Sequence, residues 1–91
     1  HSDRIMTLEY RTVKERLASF LLTTAARFGE KTTKGTLINS PLKQQDIASS
    51  ISATRETTSR SLAALQSNGI IRIEQSLITI LDEDALNNIV S

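Results

Sequence analysis

Three observations predict a mostly α domain with a small β wing, a winged helix-turn-helix. Residues 44–71, QQDIASSISATRETTSRSLAALQSNGII, read as two short helices joined by a tight turn. Residues 8–28 carry an apolar stripe at helical spacing. Isoleucine-rich runs flank the short polar break Glu74-Gln75-Ser76, the pattern of two strands and a hairpin. At 91 residues the chain is sized for one small domain with a modest core. We expect that domain over residues 10–91, with residues 1–9 ending a linker or dimer helix. With no Met before His1, the chain reads as an excised fragment.

In the first helix, Val13, Leu17, Phe20, Leu21, Thr24, Ala25 and Phe28 recur three and four apart. Arg11, Lys14, Glu15 and Arg27 fall off that stripe, and Gly29 is a natural stop. The stripe reads as a core face, with the alternative that its N-terminal end continues a dimer helix. Residues 29–41, GEKTTKGTLINSP, are polar and broken by Gly29, Gly35 and Pro41, so they predict a turn-rich connection with a short strand at Thr36-Leu37-Ile38. Lys31 and Lys34 in that stretch are either phosphate contacts or simply solvated.

The next helix is expected over 43–51. Ile47 and Ile51 form an i, i+4 apolar pair, and Ala48 is small where two helices approach. Ser52 and Ala53 make the turn. Thr54 is placed to cap the following helix, about 55–67, by accepting from an orphan backbone N–H. Leu62 and Leu65 anchor that helix, with Thr58 and Ala64 helping, and Asn68-Gly69 closes it as a left-handed pair. After the hairpin, Asp82 caps a last helix with Glu83 and Asp84 in its favoured acidic first turn, and Leu86, Ile89 and Val90 pack back.

The net charge of +1 hides an asymmetry. Residues 1–72 carry all eleven Lys and Arg against six acids, whereas residues 73–91 carry four acids and no base. The basic excess therefore accompanies the two-helix motif, and it is too modest for strong non-specific attachment by one copy. The absence of Cys excludes disulfides and thiolate chemistry, and a lone His cannot build a metal site. No Gly-rich phosphate loop or catalytic pair of carboxylates is recognisable, so the chain reads as a non-enzyme with no cofactor of its own. No membrane-spanning run and no secretory signal are present in the sequence, which suits the cytoplasm.

The second helix of the motif opens with Arg55 and Glu56, followed one turn later by Ser59 and Arg60. These types on an exposed helix start are suited to base edges in a DNA major groove. Arg55 and Arg60 can each bond guanine N7 and O6, and Glu56 can only accept, as from cytosine N4. A carboxylate beside phosphates makes sense where it reads a base or orients an Arg. Alone, Glu56 and Arg60 are equally an ordinary i, i+4 surface pair. Gln44, Gln45, Thr54 and Thr57 are the expected phosphate contacts, with solvated glutamines as the alternative.

Residues from about 10 to 84 resemble the C-terminal winged-helix domain of the Crp/Fnr family of bacterial transcription regulators. The resemblance rests on QQDIA (44–48), TRETTSRSL (54–62) and NGII (68–71). It implies base contacts by Arg55, Glu56 and Arg60, with a further contact from Ser59. Arg55 is similar to the cyclic-AMP receptor branch, and Ser59 before Arg60 to the fumarate–nitrate branch. The shared Glu and second Arg imply a half-site with a GA step, of TGTGA or TTGAT type. The resemblance also implies a homodimer on an inverted repeat in double-stranded DNA, RNA polymerase as a partner, and a sensor domain outside this chain whose effector is unknown. Three positions depart from the family pattern: Ser52 where the turn has Gly, Lys43 where a Ser or Thr cap is usual, and Ser61 where a larger apolar residue is common. The alternative is a winged helix that serves as a protein-interaction module, for which an apolar or acidic recognition face is expected.

Overall fold

A computed structural model describes residues 12–90 of the chain. The element order is α1 (Val13–Phe28), β1 (Gly29–Lys31), β2 (Thr36–Ile38), α2 (Gln44–Ser50), α3 (Arg55–Ser67), β3 (Ile71–Glu74), β4 (Leu77–Ile80) and α4 (Glu83–Val90). The expectations for residues 1–9, His1 and the helix's first turn over 8–11 lie outside the described residues. Within the described part α1 begins at Val13, the first residue of the apolar stripe. Thr12 is extended (φ −67°, ψ 161°), and its hydroxyl accepts from the Glu15 N–H while the Glu15 carboxylate accepts from the Thr12 N–H. That reciprocal pair satisfies two helix-end donors and sets the start.

Leu17, Ala18, Leu21 and Thr24 form the buried face of α1. Phe28 does not follow them: at the last helical residue it is 53% exposed, because the chain leaves the core there and turns into β1. Gly29 ends the helix in an extended rather than a left-handed conformation and carries on directly into that strand. The connection expected over 29–41 is thus partly sheet. β1 pairs antiparallel with β2, and Thr32 closes the turn by accepting from the N–H groups of Lys34 and Gly35. β2 in turn pairs with β4, so the wing is half of a four-stranded antiparallel sheet ordered β1-β2-β4-β3. Ile38, Ile71, Ile78 and Ile80 put one face of that sheet into the core. The opposite face shows Leu37, Arg72, Glu74, Leu77 and Thr79, as the period of two requires.

The hairpin between β3 and β4 is tighter than the three-residue break suggests. Only Gln75 and Ser76 lie outside the strands, both at positive φ (51° and 68°). Two consecutive left-handed residues match the right-handed twist of the flanking strands. The tip is tied to the helical layer, since the Ser76 carbonyl accepts from the Leu42 N–H at 2.9 Å. At the far end, Asp82 caps α4 through the Ala85 N–H as expected, and Leu86 is fully buried.

Candidate nucleic-acid interface

The site begins with the turn between α2 and α3. Ile47, Ala48 and Ile51 are buried and fix α2 against the core. The Ile51 carbonyl at the end of α2 accepts from Arg16 Nε of α1 at 2.7 Å. The chain reverses at Ser52, which takes φ +56°, the left-handed conformation that explains why glycine suits this position. Ala53 then bonds back to the Ala48 carbonyl and Thr54 opens α3. Lys43, before α2, caps it without a side-chain hydrogen bond.

α3 is held from three directions. Thr58, Leu62 and Leu65 are buried on its inner face. Ala64, expected to help them, is exposed, because the inward stripe passes through 58, 62 and 65 and leaves 63 and 64 outside. The helix closes with the Ile70 N–H on the Leu65 carbonyl and the Gly69 N–H on the Gln66 carbonyl. That is a Schellman closure in which only Gly69 is left-handed (φ +74°); Asn68, expected to share that role, stays at φ −87°. Gln66 Oε1 also accepts from the Ile73 N–H at 2.8 Å, tying α3 to the wing.

With its inner face so fixed, α3 turns Arg55, Glu56 and Arg60 to solvent, and Ser59 is half-buried between them. Together with Gln44 and Ala63 these four line one shallow depression of about 360 Å³. Sequence reasoning had not singled out Ala63. Its signal was the spacing 55, 56, 59, 60, 63, a single helical stripe. Among the described residues, no ion pair or side-chain hydrogen bond engages Arg55, Glu56 or Arg60, so the surface-pair alternative for Glu56 and Arg60 is not realised.

The expected phosphate residues fall into different settings. Gln44 joins the depression, whereas Gln45 is exposed outside its lining. Thr54 is a cap, accepting from the Thr57 N–H at 3.1 Å, and its hydroxyl donates to Thr57 Oγ1 at 2.9 Å. Thr57 is half-buried, and its own hydroxyl proton is not used in that bond. Lys31 and Lys34 are exposed, and Lys34 lines a separate hollow with Glu74 and Gln75 at the wing tip. Arg72 is paired with Glu74 at 2.8 Å in an exposed setting, which partly neutralises the wing's one cation. Among the described residues no cluster of three or more metal-type ligands occurs, and no helix is long and apolar enough to cross a membrane.

Comparison with known proteins agrees with this geometry. The family of Crp-like helix-turn-helix domains matches residues 15–89. The global nitrogen regulator of Synechococcus elongatus is 37% identical over 83 residues, 91% of this chain and 37% of that protein. The fumarate and nitrate reduction regulatory protein of Escherichia coli is 31% identical over 84 residues, 92% of this chain and 34% of that protein. The chain thus spans little more than a third of the curated relatives it matches. Among solved structures, the CO-dependent transcription factor CooA of Carboxydothermus hydrogenoformans superposes with a TM-score of 0.81 at 29% identity, over 92% of this chain and 39% of that one. A CRP-family transcriptional regulator of Thermus thermophilus gives 0.81 at 25% identity, over 91% and 42%. With a capped second helix, a turn and a wing all in the family's order, and with relatives that are regulators rather than enzymes, the chain belongs to the Crp/Fnr family as its winged-helix DNA-binding domain.

Proposed function

We propose that this domain reads duplex DNA sequence-specifically, with the N-terminal half of α3 in the major groove, as the output module of a transcription regulator. The observation that carries the reading is the stripe of Arg55, Glu56, Ser59 and Arg60, in which the three charged side chains are exposed and, among the described residues, not committed to intramolecular ion pairs. Because Thr58, Leu62 and Leu65 already anchor the helix, binding has to order the reading side chains but not their backbone. Arg55 and Arg60 each bond a guanine through N7 and O6, and Glu56 accepts from a cytosine N4. Ser59 adds a shorter hydroxyl contact. Gln45 and Thr57 face the phosphates, with Thr54 serving them as the cap that keeps the helix start open. A winged helix used only for protein contacts is disfavoured by this basic, non-apolar stripe.

Two copies acting as a homodimer would place two α3 helices in successive major grooves, about 34 Å apart, on an inverted repeat. RNA polymerase is the proposed partner at the regulated promoter, and the cytoplasm the proposed compartment. The test is selection of bound sites from random duplex DNA, using the full chain held as a dimer by an appended coiled coil, at two salt concentrations. An inverted repeat with a GA-containing half-site is expected. No enrichment from a folded dimer would transfer the domain to protein-interaction modules.

A further inference from the structure

Gln44 is the first residue of α2, outside the helix that carries the expected base contacts, yet it lines the same depression as Arg55, Glu56, Ser59 and Arg60. Ala63 also lines the depression, and its single methyl takes up less room than a longer side chain would. Gln44 is exposed, and among the described residues no side-chain hydrogen bond engages its amide. A phosphate contact from this position would carry no sequence information. A residue that lines the same open space as the four base-reading candidates has another use for its amide. It presents an acceptor and two donors in one plane, the pattern that matches adenine N6 and N7 in the major groove.

From this placement we infer that Gln44 is a specificity-determining residue, reading an adenine that flanks the bases read by Glu56 and Arg60. The inference rests on the major-groove reading of α3 and extends it. The readout surface then spans both helices of the motif. The neutral amide adds sequence preference without adding to the salt-dependent attraction of Arg55 and Arg60. Its position also has a consequence for related sequences: exchanging Gln44 alone would retune one base pair while the GA step stayed the same.

The experiment repeats the site selection on the dimerised full chain with the unsubstituted protein, Gln44→Ala and Gln44→Glu. Each adenine of the recovered half-site is then replaced by 7-deazaadenine, which lacks the N7 acceptor. The expected result is one adenine position at which Gln44→Ala lowers discrimination roughly 5- to 150-fold, the range of a good bidentate pair. At that position 7-deazaadenine weakens the unsubstituted protein and leaves Gln44→Ala unaffected. Gln44→Glu, which keeps the shape but can only accept, shifts the preference there towards cytosine. Equal weakening of Gln44→Ala on all sequences would overturn the inference in favour of a phosphate contact, and unchanged preference in favour of a solvated side chain. Either result leaves the enriched GA half-site standing. If the unsubstituted protein enriches no site, the major-groove reading fails and this inference with it.

Discussion

Thr58 lies on the inner face of the recognition helix with no exposed surface, and its hydroxyl oxygen has no hydrogen-bond partner. Thr24 of α1 makes the contrast: its hydroxyl donates to the Phe20 carbonyl one turn back, at 2.7 Å. Replacing Thr58 by Val exchanges the hydroxyl for a methyl of similar shape. An unsatisfied buried hydroxyl costs about 1–3 kcal/mol in lost hydration, and Val and Thr have nearly equal helix propensities. Thr58→Val is therefore expected to stabilise the domain by about 1–2 kcal/mol. For a domain of this size that raises Tm by roughly 4–15 °C, readable by circular dichroism, with the urea midpoint moving the same way. Thr24→Val, which breaks a hydrogen bond already made, should lose about 0.5–1.5 kcal/mol instead. Both substitutions lie away from the depression lined by Arg55 and Arg60, so DNA affinity should hold. A lowered Tm for Thr58→Val would refute the reasoning, because it would mean that the hydroxyl is satisfied in solution.

Three further outcomes are expected. Ser52→Gly removes a side chain from a residue at φ +56° and should stabilise the domain by about 0.5–1 kcal/mol, the left-handed penalty less glycine's extra entropy, as a rise in the urea midpoint. Gly35→Ala puts a Cβ onto the Ile80 carbonyl oxygen at a backbone φ of +150°, so it should cost at least about 2 kcal/mol and lower Tm. Glu56→Ala should relax preference at one base pair, with about 1–3 kcal/mol of discrimination lost in competition binding; an unchanged preference would remove Glu56 from the base-reading set.

The helices were legible because their signals are local. The stripe Leu17, Leu21, Thr24 and the pair Ile47, Ile51 follow helical spacing, and Thr54, Gly69 and Asp82 mark ends by their own chemistry. β1 was not legible. Gly29-Glu30-Lys31 has no strand pattern, and it is extended because β2, held by β4, offers it an edge to pair with. The exposure of Phe28 and Ala64 was hidden for a related reason: periodicity assigns a face but not where the core beneath it ends. The capping box of Thr12 and Glu15 was present as residue types directly before the first residue of the apolar stripe, Val13, but was not singled out. At the site, Arg55, Glu56, Ser59 and Arg60 follow from one helix face. The approach of Gln44 to that face depends on how α2 crosses α3, which no local pattern encodes.

The central claim is that the start of α3 occupies the major groove, and methylation interference on the selected site tests it most directly. A methyl on guanine N7 projects into the major groove, and one on adenine N3 into the minor groove. The account predicts that N7 methylation of the half-site guanines blocks binding, and that Arg55→Ala and Arg60→Ala each lose sensitivity at one guanine. Interference from adenine N3 alone, or none at the half-site guanines, would contradict it.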